Sequence, residues 1–221
     1  MVLLLCAVLA NGQDGPEPKP HILILTTGGT IASRTDAPLI DGPELVQAVP
    51  QLLEYAEVRV EEFSVIGSSK MTPDHWLRLA RRINEIYSND EHLAGIVITH
   101  GTDTMEETAY FLNLTVQWDR PVVLVGSMRS SNEVSADGPA NLINAVRVAI
   151  SDQAIGQGVL VVLNEDISAA RDVLKTDNRR VQTFGETNIA HLGTVDPDGV
   201  RFYHRSMLPH TTKSEFDISS V

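Results

Sequence analysis

Four small hydroxyl residues follow apolar or alternating runs in this chain: Thr30, Ser68, Thr102 and Ser127. Thr30 lies in His21–Ala32, HILILTTGGTIA, where Ile22–Leu25 has the character of a strand buried on both faces of a parallel sheet. Gly28 and Gly29 let the backbone turn sharply there, and let a ligand approach without a Cβ in the way. The pair fits neither GxGxxG nor GxxxxGK[ST], so the nucleotide-phosphate fingerprints are excluded at this turn. Thr102 is followed by Asp103, and Ser127 by Met128 and Arg129. Each case alone is an ordinary strand-to-loop turn, because Gly, Ser, Thr and Asp are common loop formers. In an open α/β sheet, however, successive carboxyl ends share one edge, where such folds carry their chemistry. Repetition on four strands therefore points to a site.

The chemistry open to such a set is acyl transfer. A threonine hydroxyl is a poor nucleophile until a neighbouring base takes its proton. Asp103 is one candidate base; it could instead grip a substrate ammonium group or simply support a helix start. Lys175, in DVLKT, is a second candidate if it is desolvated beside Thr102, although a lysine is more often a solvated surface group. Thr102 also precedes a helix start, whose free N–H groups can stabilise a developing oxyanion.

The elements that must position these residues can be read in order. The first strand and its threonine loop are followed by a short helix from Asp41-Gly42-Pro43-Glu44 through Val49. Glu57–Val65 alternates as a second strand. Thr72-Pro73-Asp74 opens a helix with Trp76, Leu77, Leu79, Ala80, Ile83 and Ile86 at helical spacing. Leu93–Thr99 is a third strand, and Thr104-Met105-Glu106-Glu107 reads as a capping box for a helix to about Val116. Pro121–Val125 is a fourth strand, Asp137-Gly138-Pro139 caps a helix to about Ile150, and Gly158–Leu163 is a fifth strand. This alternation predicts an α/β fold with a doubly wound, mostly parallel sheet and flanking helices. Beyond Leu163 the pattern loosens, and Asp196-Pro197-Asp198-Gly199 predicts a small hairpin between Leu192–Val195 and Val200–Tyr203.

The chain has 221 residues, enough for one large α/β domain. Its 17 basic residues against 29 acidic ones, a net charge of −12, offer no basic face for a phosphate backbone, so nucleic acid is not an expected partner. Cys6 is the single cysteine, which excludes a disulfide framework and a thiolate metal cluster. Met1–Ala10 is apolar, too short to span a bilayer, and similar to the central region of a secretory signal, though without a basic start. Residues 1–20 are accordingly read as a signal-like leader and linker, which predicts a periplasmic or secreted protein.

TGGTIA (Thr27–Ala32) and HGTDTMEETAYFL (His100–Leu112) together resemble the bacterial-type L-asparaginases. Gly67-Ser68, VGSMR (Val125–Arg129), SADGP (Ser135–Pro139) and GVLVV (Gly158–Val162) support the likeness, which runs from His21 to about Asp217. The resemblance implies hydrolysis of L-asparagine to L-aspartate and ammonia, with weaker action on L-glutamine, and neither a metal nor an organic cofactor. It implies Thr30 as the nucleophile that forms a β-aspartyl enzyme, and Thr102, Asp103 and Lys175 as a second polar triad that activates water or assists proton transfer. Ser68 would hold the substrate α-carboxylate and Asp103 its α-ammonium, with Ser69, Thr102, Gly29 and Gly101 also lining the substrate. Ser127, Met128 and Arg129 would support the pocket edge, and His100 would be structural.

The same resemblance divides the chain into an N-terminal asparaginase domain over 21–208 and a linker over 209–221, leading to a C-terminal domain that this chain lacks. Full-length members would be homotetramers, which leaves the state of this chain open. Members also carry a mobile lid whose tyrosine helps activate the nucleophile. Here Ser33–Pro43 holds no tyrosine, and the nearest is Tyr55. These departures support an alternative reading, an inactive or fragmentary amino-acid-binding domain of the same family.

Overall fold

The computed structural model describes residues 18–28, 42–187 and 190–220. Its centre is an eight-stranded sheet whose first five strands are parallel: β1 (His21–Thr26), β2 (Glu57–Glu62), β3 (Leu93–Thr99), β4 (Val122–Val125) and β5 (Val159–Leu163). Their order in space is β2-β1-β3-β4-β5. The chain therefore steps outward from β1 to β2, then crosses back to β3 on the other side. The gap between β1 and β3 is the point where an open α/β sheet forms its ligand crevice.

Period-two alternation along these strands sends apolar side chains to both faces. Ile22, Ile24, Val97, Val123, Val125, Leu160 and Val162 enter one core, against α1 (Gly42–Ala48), α2 (Leu52–Tyr55) and α5 (Gly138–Ala149). Leu23, Leu25, Ile96, Ile98, Leu124 and Val161 enter the other, against α3 (Pro73–Asn89) and α4 (Met105–Thr115). Each such side chain, fully buried, stabilises the fold by about 1.5–3 kcal/mol relative to exposure. The strand ends are thus rigid supports for the loops they emit. Among the described residues, no helix is long and apolar enough to cross a membrane.

The doubly wound sheet is as expected, with three corrections. The second strand ends at Glu62 rather than Val65, because β1 turns away there: Phe63 N and Ser64 N both donate to Thr26 O, and Ile66 N to Thr27 O. The C-terminal hairpin, β9 (Gly193–Asp196) and β10 (Gly199–Phe202), is part of the main sheet, joined to β5 through an antiparallel strand β6 (Asp166–Ala169). A separate two-stranded ribbon, β7 (Val173–Lys175) with β8 (Phe184–Glu186), fills the stretch where periodicity was lost. Residues after Pro209 lie against the domain: His210, Thr211 and Ile218 are buried, and Gln117 Nε2 donates to Phe216 O.

Candidate active site

The site is built where β1 and β3 end. Thr27 closes β1 with two bonds to one carbonyl, its N–H (3.1 Å) and its Oγ1 (2.8 Å) both donating to Thr99 O. Gly28 follows with φ +104°, and a Cβ on it would stand 2.6 Å from Ile66 O. An L side chain is excluded on both counts. Gly29, Thr30 and the lid segment through Asp41 lie outside the described residues, as does the leader over 1–17.

β3 delivers the sequence His100-Gly101-Thr102-Asp103. Thr102–Thr104 forms one 3-10 turn leading into α4, with Thr102 buried and the Asp103 side chain 62% exposed. Ser68, buried at the start of the Ser68–Lys70 turn, is seated on this segment: its Oγ accepts from Asp103 N at 3.2 Å, and its carbonyl accepts from Thr104 Oγ1 at 2.8 Å. Gly101 makes the fit possible, since a Cβ there would lie 2.5 Å from Ser68 Oγ and 2.9 Å from Ser68 Cβ. Ser69, next in the turn, is exposed.

The β7–β8 ribbon brings in the cation. Lys175 Nζ donates to Thr102 Oγ1 at 2.9 Å and to Asp103 Oδ1 at 2.8 Å, with the lysine side chain 16% exposed. Ammonium, hydroxyl and carboxylate form one connected cluster on the wall of an open cleft of about 440 Å³, lined by Asp103, Lys175, Thr176, Asp177 and Asn178. Lysine contributes here as a compact donor, and partial desolvation strengthens its electrostatic pull. A chain of this kind can move a proton between hydroxyl and amine while the carboxylate stays in reach of a substrate cation.

His100 stands behind the cluster and is buried. Its Nδ1 donates to Gly101 O at 2.7 Å, and its Nε2 accepts from Thr108 Oγ1 at 3.0 Å, while Thr108 Oγ1 accepts from Trp76 Nε1 at 2.8 Å. Burial lowers the imidazole pKa to about 4, so the ring is neutral and satisfied on both nitrogens, a structural group.

The β4 loop supports the cluster from below. A Cβ on Gly126 would meet His100 O at 2.7 Å and Thr102 Cγ2 at 3.3 Å. Ser127 Oγ turns onto its own loop, donating to Arg129 O at 3.0 Å, and the Arg129 guanidinium donates to Ser135 O at 2.8 Å. The loop is held by Asp137, whose carboxylate accepts from Met128 N and Arg129 N, both at 2.9 Å, and from Asn141 Nδ2 at 3.1 Å.

Two capping expectations are corrected here. Asp137 occupies the N-cap position of α5 but spends its carboxylate on the β4 loop, with no side-chain cap bond. The capping box of Thr104 and Glu107 does not form: Thr104 makes no side-chain cap bond and donates to Ser68 O instead, while the neighbouring Glu106 accepts from the backbone N–H of Lys175. The sequence marked Asp137 and Thr104 as helix caps; the loop that claims Asp137 begins nine residues before it, and the partner of Thr104 lies 36 residues back. Among the described residues, no group of three or more His, Cys, Asp or Glu side chains is arranged to hold a metal ion.

A doubly wound α/β protein with a hydroxyl, carboxylate and lysine at its strand switch is the class that fold and site define. Residues 21–208 match the family model described as Asparaginase, N-terminal, and the chain belongs to that family. It is 45% identical to L-asparaginase 2 of Bacillus subtilis, over 91% of this chain and 56% of that protein. It is 44% identical to the probable periplasmic L-asparaginase of Haemophilus influenzae, over 96% of this chain and 61% of that protein. The solved structure of a probable cytoplasmic L-asparaginase from Campylobacter jejuni superposes with a TM-score of 0.87 at 46% identity, over 92% of this chain and 63% of that one. The chain thus spans less than two thirds of the length of each of these relatives.

Proposed function

We propose that this chain carries the amidohydrolase site of an L-asparaginase, hydrolysing L-asparagine to L-aspartate and ammonia. One observation carries the reading: a single ammonium, Lys175 Nζ, bonds both the Thr102 hydroxyl and the Asp103 carboxylate at the carboxyl end of β3. In the proposed sequence, Thr30 Oγ attacks the side-chain amide carbon. The Thr30 hydroxyl proton passes through the polar cluster to the departing nitrogen, the C–N bond breaks, ammonia leaves and a β-aspartyl ester remains. Water, positioned by the Thr102–Lys175 pair, adds to the ester, one of its protons passes to Thr30 Oγ as the ester C–O bond breaks, and L-aspartate is released. Ser68 and the exposed Asp103 carboxylate are assigned to the α-carboxylate and α-ammonium of the free amino acid. L-Glutamine is the expected weaker substrate, since one methylene discriminates only about 10–200-fold.

The test is ammonia release by the purified chain beside its Thr30→Ala variant. Release that depends on Thr30 supports the reading. Release retained in a folded Thr30→Ala protein sinks the nucleophile assignment, and a wild-type chain whose melting temperature rises with L-aspartate while no ammonia forms is a binder. The apolar leader and the periplasmic name of the Haemophilus influenzae relative support export, whereas the Campylobacter jejuni protein is named cytoplasmic. N-terminal sequencing of the protein recovered from cells decides the compartment: a start near Gly12 means a processed leader.

A further inference from the structure

The geometry points to Glu106 as a positioning residue for Lys175, an inference that rests on the proposed role of the lysine. Lys175 reaches Thr102 and Asp103 from the end of a three-residue strand in a ribbon that is not hydrogen-bonded into the main sheet. A lysine stem has four rotatable carbons, so its ammonium is placed only if its backbone is placed. Glu106 supplies that anchor: its Oε2 accepts the backbone N–H of Lys175, across 69 residues of sequence.

Glu106 lies in the first turn of α4, directly after the 3-10 turn that carries Thr102 and Asp103. Both ends of the lysine are therefore referred to one element. The ammonium is held by the turn, and the peptide N–H by the helix that continues it. A shift of α4 moves the acceptors and the anchor together, which keeps the Nζ distances of 2.8 and 2.9 Å intact. The helix N-terminus also favours a carboxylate at this position, so the anchor is held by the dipole of the element it serves. Elsewhere the ribbon is fastened by Ser168 Oγ on β6, which donates to Glu186 Oε1 on β8 at 2.6 Å, and by Val173, which is buried in the core; Glu106 adds the bond on the N–H of Lys175 itself.

Three variants separate positioning from charge and from folding. Glu106→Gln keeps an acceptor oxygen at the same reach, Glu106→Asp keeps the charge but withdraws the oxygen by one methylene, and Glu106→Ala removes both. The first readout is the acylation rate of Lys175 by an N-hydroxysuccinimide ester, measured by peptide mass spectrometry against the exposed Lys70 and Lys213 in the same molecule. Glu106→Asp and Glu106→Ala are expected to raise Lys175 labelling several-fold, with Lys70 and Lys213 unchanged, while Glu106→Gln stays at the wild-type rate. For ammonia release, the Asp and Ala variants lose at least 10-fold in kcat with KM within about 2-fold, and Gln restores most of it. Wild-type labelling of Lys175 in Glu106→Asp overturns the proposal, as does a Gln variant as impaired as Ala. If the wild-type chain releases no ammonia, the functional reading falls on its own and the labelling still decides this inference.

Discussion

Lys175 Nζ lies 2.9 Å from Thr102 Oγ1, joining residues 73 positions apart across a ribbon and a turn that share no sheet. The contact has directional content. The lysine is the donor, so the threonine oxygen keeps its own hydrogen for another acceptor, and Asp103 holds the ammonium from the other side at 2.8 Å. The lysine is largely covered and the aspartate largely open, at 16% and 62% side-chain exposure. The proton-handling role proposed for the lysine is thus seated inside, and the substrate-recognition role proposed for the aspartate at the rim.

Gly101 has φ −73° and ψ 147°, a backbone that alanine adopts freely, so the need for glycine here is purely one of contact. A Cβ meets Ser68 Oγ at 2.5 Å, and Ser68 must move off Asp103 N. Gly101→Ala is expected to cost about 1–3 kcal/mol of stability, as overpacking does. Its KM for L-asparagine should rise more than its kcat falls, because the displaced serine is the group assigned to the substrate α-carboxylate. Steady-state kinetics with urea denaturation checks both.

His100 makes stability depend on pH with a fixed sign. Its folded pKa of about 4 lies below the ordinary 6.5, so the unfolded chain takes up the proton first as pH falls. The stabilisation is complete above pH 6.5 and is lost progressively down to pH 4, on the order of 3 kcal/mol in total. His100→Gln, which keeps one donor and one acceptor, should flatten the curve of unfolding free energy over that window. Burial lowers the pKa of His210 too, with Asp119 opposing and Lys213 reinforcing, and that contribution is common to both proteins. Denaturation at pH 7.0 and 5.5 measures the difference, and parallel curves would remove His100 from the account.

Asp137 secures the β4 loop with three accepted bonds on one buried carboxylate. Asp137→Ala leaves two backbone N–H groups without it and should destabilise the chain by about 1–3 kcal/mol. Asp137→Asn, with one carbonyl oxygen left, is expected to fall between the two. Thermal melts of the three proteins give the order directly.

Apart from the alternating edge strand β2, the parallel strands were legible because they are continuous apolar runs, and the run itself is the signal of burial on both faces. Leu93–Thr99 was read to its observed ends, the helix after Thr72 was read at its start, and Thr102 with Lys175 was marked as a pair to test. The β9–β10 hairpin at the far end of the sheet was read from its turn, but the strand that joins it to β5 and the separate ribbon were not legible. β6 is DISA and β7 is VLK, too short to show a period, and both are made by tertiary pairing. Thr104 and Asp137 were assigned to the nearest helix start, since local capping is the only partner a sequence displays. The structure gives each a loop partner with a stronger claim.

The most direct measurement is ammonia release from L-asparagine by the wild-type chain, beside Thr102→Val and Lys175→Met. Each variant deletes one polar group and keeps its volume, and the open Asp103 carboxylate stays solvated, so both proteins should fold with melting temperatures near wild type. The account predicts measurable wild-type release and a loss of about 10²–10⁴-fold in kcat in either variant. Because the two groups act as one unit, the double variant should be no worse than the poorer single one. Release at the wild-type rate from folded Lys175→Met would contradict it.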